Sequence, residues 1–226
     1  MSTDNFANAS RSWCRDYDRR ELLRVRLTLA TPVSYVEPIN LDSVLAALLT
    51  QRIGCWSQAL VDPSALDDIT LPLARATIAG HPVWEATRLW PVGAEGHEVI
   101  RYRKRPPEPE LLEWGTKASL RFKQGPFRAY DLPLLVHAVP ALEAVAHGDA
   151  RGIRRLLHRL RHVGKKGAQG YGLVSQVDVT VADDLDAFPW TLPDGRPTRP
   201  IPHADGVAMG FRPPYWHRPW WAPCMS

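Results

Sequence analysis

The stretch HVGKKGAQGYG, from His162 to Gly172, holds four glycines and two adjacent lysines in eleven residues. Glycine lets backbone approach another chain closely and turn its N–H groups outward as an anion-binding concavity. Lys165 and Lys166 add positive charge at the same place. The combination suits phosphate. Two nucleotide-cofactor motifs do not fit it. A P-loop, GxxxxGK[ST], follows a strand, whereas this segment follows a helical pattern and lacks the Lys-Ser or Lys-Thr pair. A dinucleotide-binding GxGxxG opens a helix, whereas Gly170-Tyr171-Gly172 runs into a strand pattern. What remains is a cradle for a phosphate chain, or a connector with incidental lysines.

The segment just ahead, DARGIRRLLHRLRHV, puts Ile153, Leu156, Leu157, Leu160 and Val163 on one helical stripe, with Asp149 placed to cap. The other face carries Arg151, Arg154, Arg155, His158, Arg159, Arg161 and His162, with no carboxylate after Asp149. Like charges four apart, Arg151 with Arg155 and Arg155 with Arg159, cost about a few tenths of a kcal/mol each. Such a face asks for an anion, and Arg155, Arg159 and His162 are candidate phosphate contacts. It also offers a catalytic reading. His158 and His162 fall four apart beside two lysines, and metal-independent RNA cleavage needs a base for the 2′-hydroxyl and cations for the phosphorane charge. As zinc ligands the pair lacks the glutamate and third ligand of an HExxH site. The plainer reading is that both contact RNA or solvent.

The elements that must carry these groups follow from periodicity. LLRVRLTLATPV alternates, with Leu23, Val25, Leu27 and Leu29 on one face and Arg24, Arg26 and Thr28 on the other, as a half-buried strand does. LDSVLAALLTQRIG spaces Leu41, Val44, Leu45, Leu48 and Leu49 as a helix, which Asn40 can cap and Gly54 can end. LPLARATI and VWEATRLW, separated by AGHP, form a hairpin. EVIRYRKRPPEPELLEWGTKASLRFKQGPFRAYDL is polar, basic and broken by proline; it reads as an insertion at about residues 97–130, with EVIRYRK and ASLRFKQ as strands of an extended arm. LPLLVHAV then reads as a core strand and LVSQVDVTV as the last. Strand, helix, strand, strand, helix, strand is the order of an α+β, ferredoxin-like fold, shared by RNA-recognition motifs. Residues 1–20 read as a polar arm and 21–182 as the ferredoxin-like domain. Residues 183–226 read as an irregular segment, rich in proline and tryptophan, packed on that core.

The net charge of +4 hides clustering. Basic residues gather at Arg11 to Arg26, Arg101 to Arg105, Lys117 to Arg128 and Arg151 to Lys166, while Asp183, Asp184 and Asp186 stand apart. That separation suits a surface that meets a polyanion. A third reading is an interaction module whose basic faces dock acidic proteins. Cys14, Cys55 and Cys224 form no CxxC pair, so neither a disulfide framework nor a cysteine zinc site is supported. The first twenty residues lack the apolar core of a signal peptide, and no apolar run reaches membrane-spanning length. The expectation is a cytoplasmic protein without membrane, metal or cofactor.

A basic helix, then GKKGAQGYG, then a strand closing a ferredoxin-like core resembles the glycine-rich loop of the RAMP superfamily of CRISPR-associated RNA-binding proteins. With LDSVLAALL, WEATRLW and RPPYW, the chain from Leu22 to Cys224 is similar to the Cas-five-type subunit of type IV CRISPR effector complexes. The resemblance implies a non-catalytic subunit that holds the 5′ handle of the guide RNA through the RAMP core and a β-hairpin "thumb". Its implied partners are backbone RAMP subunits, the large subunit, and target DNA near the protospacer-adjacent motif; repeat cleavage belongs to a different RAMP subunit. Gly164, Lys165, Lys166, Gly167, Gln169, Gly170, Tyr171 and Gly172 would form the RNA-contacting loop. Arg101, Arg103, Lys104, Arg105, Arg121, Lys123 and Arg128 would be thumb contacts. Tyr102, Phe122 and Tyr171 lie among basic residues, where exposed rings stack on splayed bases; the plainer reading of an aromatic on a strand is core packing.

Overall fold

The alternation in ELLRVRLTL is realised in strand β1 (Glu21–Leu29), whose Leu23, Val25 and Leu27 are completely buried. The computed structural model describes residues 3–54, 62, 66, 69–104 and 130–226. Strand β1 lies in a four-stranded antiparallel sheet with β4 (Trp90–Val92), β7 (Ala141–Gly148) and β8 (Val174–Val181), in the order β4-β7-β1-β8. Leu23, Val25 and Leu27 face Ala146, Ala144 and Leu142 on one side and Val181, Val179 and Val177 on the other. Helix α2 (Leu41–Arg52) falls between β1 and β4 in the chain, and helix α3 (Ala150–Leu157) falls between β7 and β8. Leu41, Leu45 and Leu49 of α2 join Ile153, Leu156 and Leu157 of α3 in one cluster with the inner face of β1. Each buried leucine is worth about 1.5–3 kcal/mol relative to exposure. The molecule is therefore an α+β fold: a sheet with a helical layer on its apolar face.

Three elements differ from the periodicity reading. The strand ahead of α3 is ALEAVAHG, not LPLLVHAV; its inward residues are Leu142, Ala144 and Ala146, too small to announce a strand by propensity. LPLLVHAV instead lies in β6 (Tyr130–Ala138), which pairs along its whole length with β5 (Gly96–Lys104) as a separate two-stranded arm. The tail is not irregular throughout, because β9 (Ile201–Gly210) and β10 (Trp221–Met225) form an antiparallel pair. Its Phe211, Trp220, Ala222 and Cys224 are buried in the core cluster.

The expected hairpin is present as β2 (Arg75–Ile78) and β3 (His81–Trp84), turning at Ala79 and Gly80, both with positive φ. That is the backbone a two-residue turn between right-twisted strands demands. Ahead of β1, where composition reads as a polar arm, helix α1 (Thr3–Cys14) buries Phe6 and Cys14, and Tyr17 follows it inward. Asn40 sits at the N-cap of α2 but its side chain caps nothing; Ser43 instead donates to the Asn40 carbonyl at 2.7 Å. Asp149 does cap α3, accepting from the Gly152 N–H at 2.8 Å.

Candidate nucleic-acid interface

The glycine segment is fastened to residues 31–35, which follow β1. The Lys165 N–H donates to the Ser34 carbonyl at 2.7 Å and the Gly172 N–H to the Pro32 carbonyl at 2.8 Å. The Thr31 hydroxyl donates to the Gly170 carbonyl at 2.7 Å and accepts from the Leu173 N–H at 2.9 Å. Val33 in turn exchanges two backbone hydrogen bonds with His137 of β6, at 2.9 and 2.8 Å. The Ser34 hydroxyl donates to the Leu135 carbonyl at 2.8 Å, and the Tyr35 ring stacks on His137 with centroids 4.1 Å apart. The short segment thus has the glycine loop on one side and the base of the β5–β6 arm on the other. Loop and arm also meet directly: the Lys166 ammonium stands 4.1 Å from the centroid of the Tyr102 ring on β5.

The glycines have separate reasons to be glycine. Gly164 and Gly172 both have positive φ, and a Cβ there would lie 2.5 Å from the Ser34 carbonyl oxygen and 2.0 Å from that of Val163. These two are required by the chain's own close approach. Gly167 leans on the His162 side chain and opens a single 3-10 turn, Gly167–Gln169. Gly170 has positive φ and open space beside it. The outward surface consists of exposed Lys165, Gln169 and Gly170, with Lys166 and Tyr171 half-buried.

Lys166 is itself in the left-handed region, at φ 63°. That conformation costs a side-chain-bearing residue about 1–2 kcal/mol, and the loop uses glycine at neighbouring turns. A lysine held there marks its side chain, rather than its backbone, as what the position keeps.

On the arm, Arg101 and Arg103 are exposed and both reach Asp131, each at 3.1 Å. The hydrogen bond from Arg101 is the first cause holding the Asp131 carboxyl below the usual range. Lys104 ends β5. Arg105, Arg121, Phe122, Lys123, Arg128 and the segment ASLRFKQ lie outside the described residues.

The expected helical pair His158 and His162 does not form. Helix α3 ends at Leu157, His158 is its C-cap, and His162 sits in extended chain bridged to Leu173. The reason is competition for backbone groups. The Val163 N–H donates to Gly172 and the Arg161 carbonyl accepts from Val174, both at 2.9 Å, which peels the chain from the helix into pairing with the strand that follows. Arg155 donates to the Tyr17 hydroxyl, and Arg159 lies in the exposed turn after α3. Sequence reasoning did not find the hub at residues 31–35, because LLRVRLTLATPV reads as strand through Val33 whereas β1 ends at Leu29, nor the place of Arg52 beside Arg155 and Arg159.

Among the described residues, no helix is long and apolar enough to cross a membrane. No curated protein matches the chain. The family model described as CRISPR type IV associated protein Csf3 matches residues 21–225, from the first residue of β1 to the last of β10. The chain thus belongs to the Csf3 family of CRISPR type IV associated proteins, Cas5-like subunits of these systems.

Proposed function

We propose that this protein is a non-catalytic RNA-binding subunit of a type IV CRISPR effector complex, holding the 5′ handle of the guide RNA. The observation that carries this reading is the junction of glycine loop and arm, where the Lys166 ammonium stands over the Tyr102 ring and the backbone of Lys165 and Gly172 is bonded to residues 31–35, beside exposed Lys165 and half-buried Tyr171. Two ammonium groups supply sequence-independent phosphate contacts, and rings at the same place can stack on unpaired bases, at about 1–3 kcal/mol each. The strand order β4-β7-β1-β8, with one helix in each of two interleaved strand–helix–strand units, supports a ferredoxin-like RAMP core. The β5–β6 arm then takes the place of the thumb, and Arg101 and Arg103 become RNA contacts once phosphate competes with Asp131. Backbone RAMP subunits, the large subunit and target DNA near the protospacer-adjacent motif are the partners of such a subunit, acting in the cytoplasm.

The test is binding to a labelled repeat-derived RNA in EDTA, read on native and denaturing gels. A shifted, intact RNA that prefers the 5′-handle portion is the expected result, with Lys165→Glu/Lys166→Glu weakening it at least tenfold while lowering the melting temperature by no more than a few degrees. A discrete cut within the repeat, or handle affinity unchanged in that variant, would overturn the reading.

A further inference from the structure

A second basic surface lies apart from the glycine loop. Arg52, at the end of α2, meets Arg151, Arg154, Arg155, His158 and Arg159, from α3 and the turn after it, around one open groove. Among the described residues, none of these forms a backbone hydrogen bond with residues 31–35, and the cation over the Tyr102 ring is Lys166. Among the described residues none of the five arginines forms an ion pair with a carboxylate. Burial, and then the like charges of Arg155 and Arg159, hold the Arg52 guanidinium below its ordinary value.

The fold supports these arginines on aromatic rings rather than on acids. Arg52 stands 5.9 Å from the centroid of Trp13, and Arg151 and Arg155 stand 5.9 and 6.0 Å from that of Tyr17. The two rings lie 4.7 Å apart. Tyr17 is buried and Trp13 half-buried, so the exposed part of the groove is formed mainly by the guanidinium groups. Single-stranded nucleic acid is held by charge together with stacking platforms, whereas the stacked bases of a duplex leave its phosphate backbone as the surface that such cations meet. Guanidinium groups are suited to the latter, since each can donate two parallel bonds to a phosphate.

We infer that the groove between the ends of α2 and α3 is a binding site for the phosphodiester backbone of double-stranded nucleic acid, separate from the glycine-loop surface. The inference builds on the proposed RNA-holding role only in that both concern one complex; it assigns Arg155 and Arg159 to the duplex.

The experiment compares a 30-bp DNA duplex with single-stranded handle RNA, each titrated between 50 and 200 mM salt. Arg52→Gln/Arg151→Gln removes two phosphate contacts while leaving Arg154 and Arg155 on their Val179 and Tyr17 partners. Each lost contact lowers the slope of log affinity against log salt for duplex by about 0.9, so the pair should flatten it by about 2. Affinity at the higher salt should fall about tenfold, and Arg52→Lys/Arg151→Lys should restore most of the slope. A wild-type protein that binds duplex without a salt slope, or a Gln variant that keeps the wild-type slope and melts normally, would overturn the inference. So would a loss confined to the RNA arm. Failure of the RNA-holding role is read separately, from Lys165→Glu/Lys166→Glu on the RNA.

Discussion

The Lys166 ammonium lies 4.1 Å from the centre of the Tyr102 ring, joining the glycine loop to the β5–β6 arm across a gap of more than sixty residues of sequence. Lys166 holds that position at φ 63°, where glycine would be unstrained. Lys166→Gly should therefore separate stability from binding. Relief of about 1–2 kcal/mol of left-handed strain offsets the glycine's chain entropy, about 0.5–1 kcal/mol, and a lost cation–π contact of about 0.5–1 kcal/mol. The expected outcome is a melting temperature within a few degrees of wild type and a weaker grip on handle RNA. The salt slope on single strands should fall by about 0.7. A variant that binds RNA as wild type would make Lys166 a structural residue only.

The loop glycines should rank by what surrounds them. Gly172→Ala drives a Cβ into the Val163 carbonyl and Gly164→Ala into that of Ser34, and each adds left-handed strain. Both should lose more than about 2 kcal/mol in urea unfolding, Gly172→Ala the more. Gly170→Ala meets open space and should lose only the conformational term, about 1 kcal/mol. Equal losses at the three positions would contradict the packing of the loop on residues 31–35.

The uneven legibility of this chain has physical causes. Strand β1 and the stripes of α2 and α3 were readable because leucine, valine and isoleucine repeat at the period of their element. Strand β7 was not, since its buried positions are mainly alanine, a residue of low strand propensity, although Pro140 and Gly148-Asp149 mark its two ends. The glycine loop was identifiable as a special backbone, but not the partner that makes it special. Gly164 and Gly172 are set by Ser34 and Val163, and no local pattern names a contact 130 residues away. The end of α3 was missed for the related reason that leucine and arginine continue at helical spacing while the backbone pairs with Gly172 and Val174. The glycines and lysines of the loop and the basic face of α3 were legible as candidate phosphate contacts; the place of Arg52 beside that face was not, because it arises only through the packing of α2 on α3.

Arg199 and Asp42 form a fully buried ion pair at 3.0 Å that ties the tail to α2. Arg199 also donates to the carbonyls of Trp84, Ala86 and Phe211, and to the Tyr215 hydroxyl, which itself donates to Asp42. Burial pushes the Tyr215 phenol well above its ordinary range and keeps it a donor. Asp42→Ala leaves a buried guanidinium uncompensated and should cost about 3–5 kcal/mol. Arg199→Met alone should cost a similar amount, and the double variant clearly less than the sum. Additive losses in a urea double-mutant cycle would show that the pair is not coupled.

The buried thiols give the protein an alkaline edge. Burial pushes Cys14 up to about 12 and Cys224 up to about 11, against an ordinary value of 9.0, with Arg20 and Arg199 respectively pulling the other way. A folded thiol that resists ionisation contributes stability present in full below the unfolded pKa and lost as pH rises towards the folded one. Unfolding free energy should therefore decline above pH 9, and the decline should be shallower in Cys14→Ala than in wild type. In a Cys55→Ser background, both thiols should label slowly with a thiolate-seeking reagent at pH 8.5 in native buffer and fast in denaturant. Rapid native labelling of Cys14 would mean that the end of α1 opens readily, since that helix carries its sulfur inward, buried and donating to the Thr70 carbonyl at 3.3 Å.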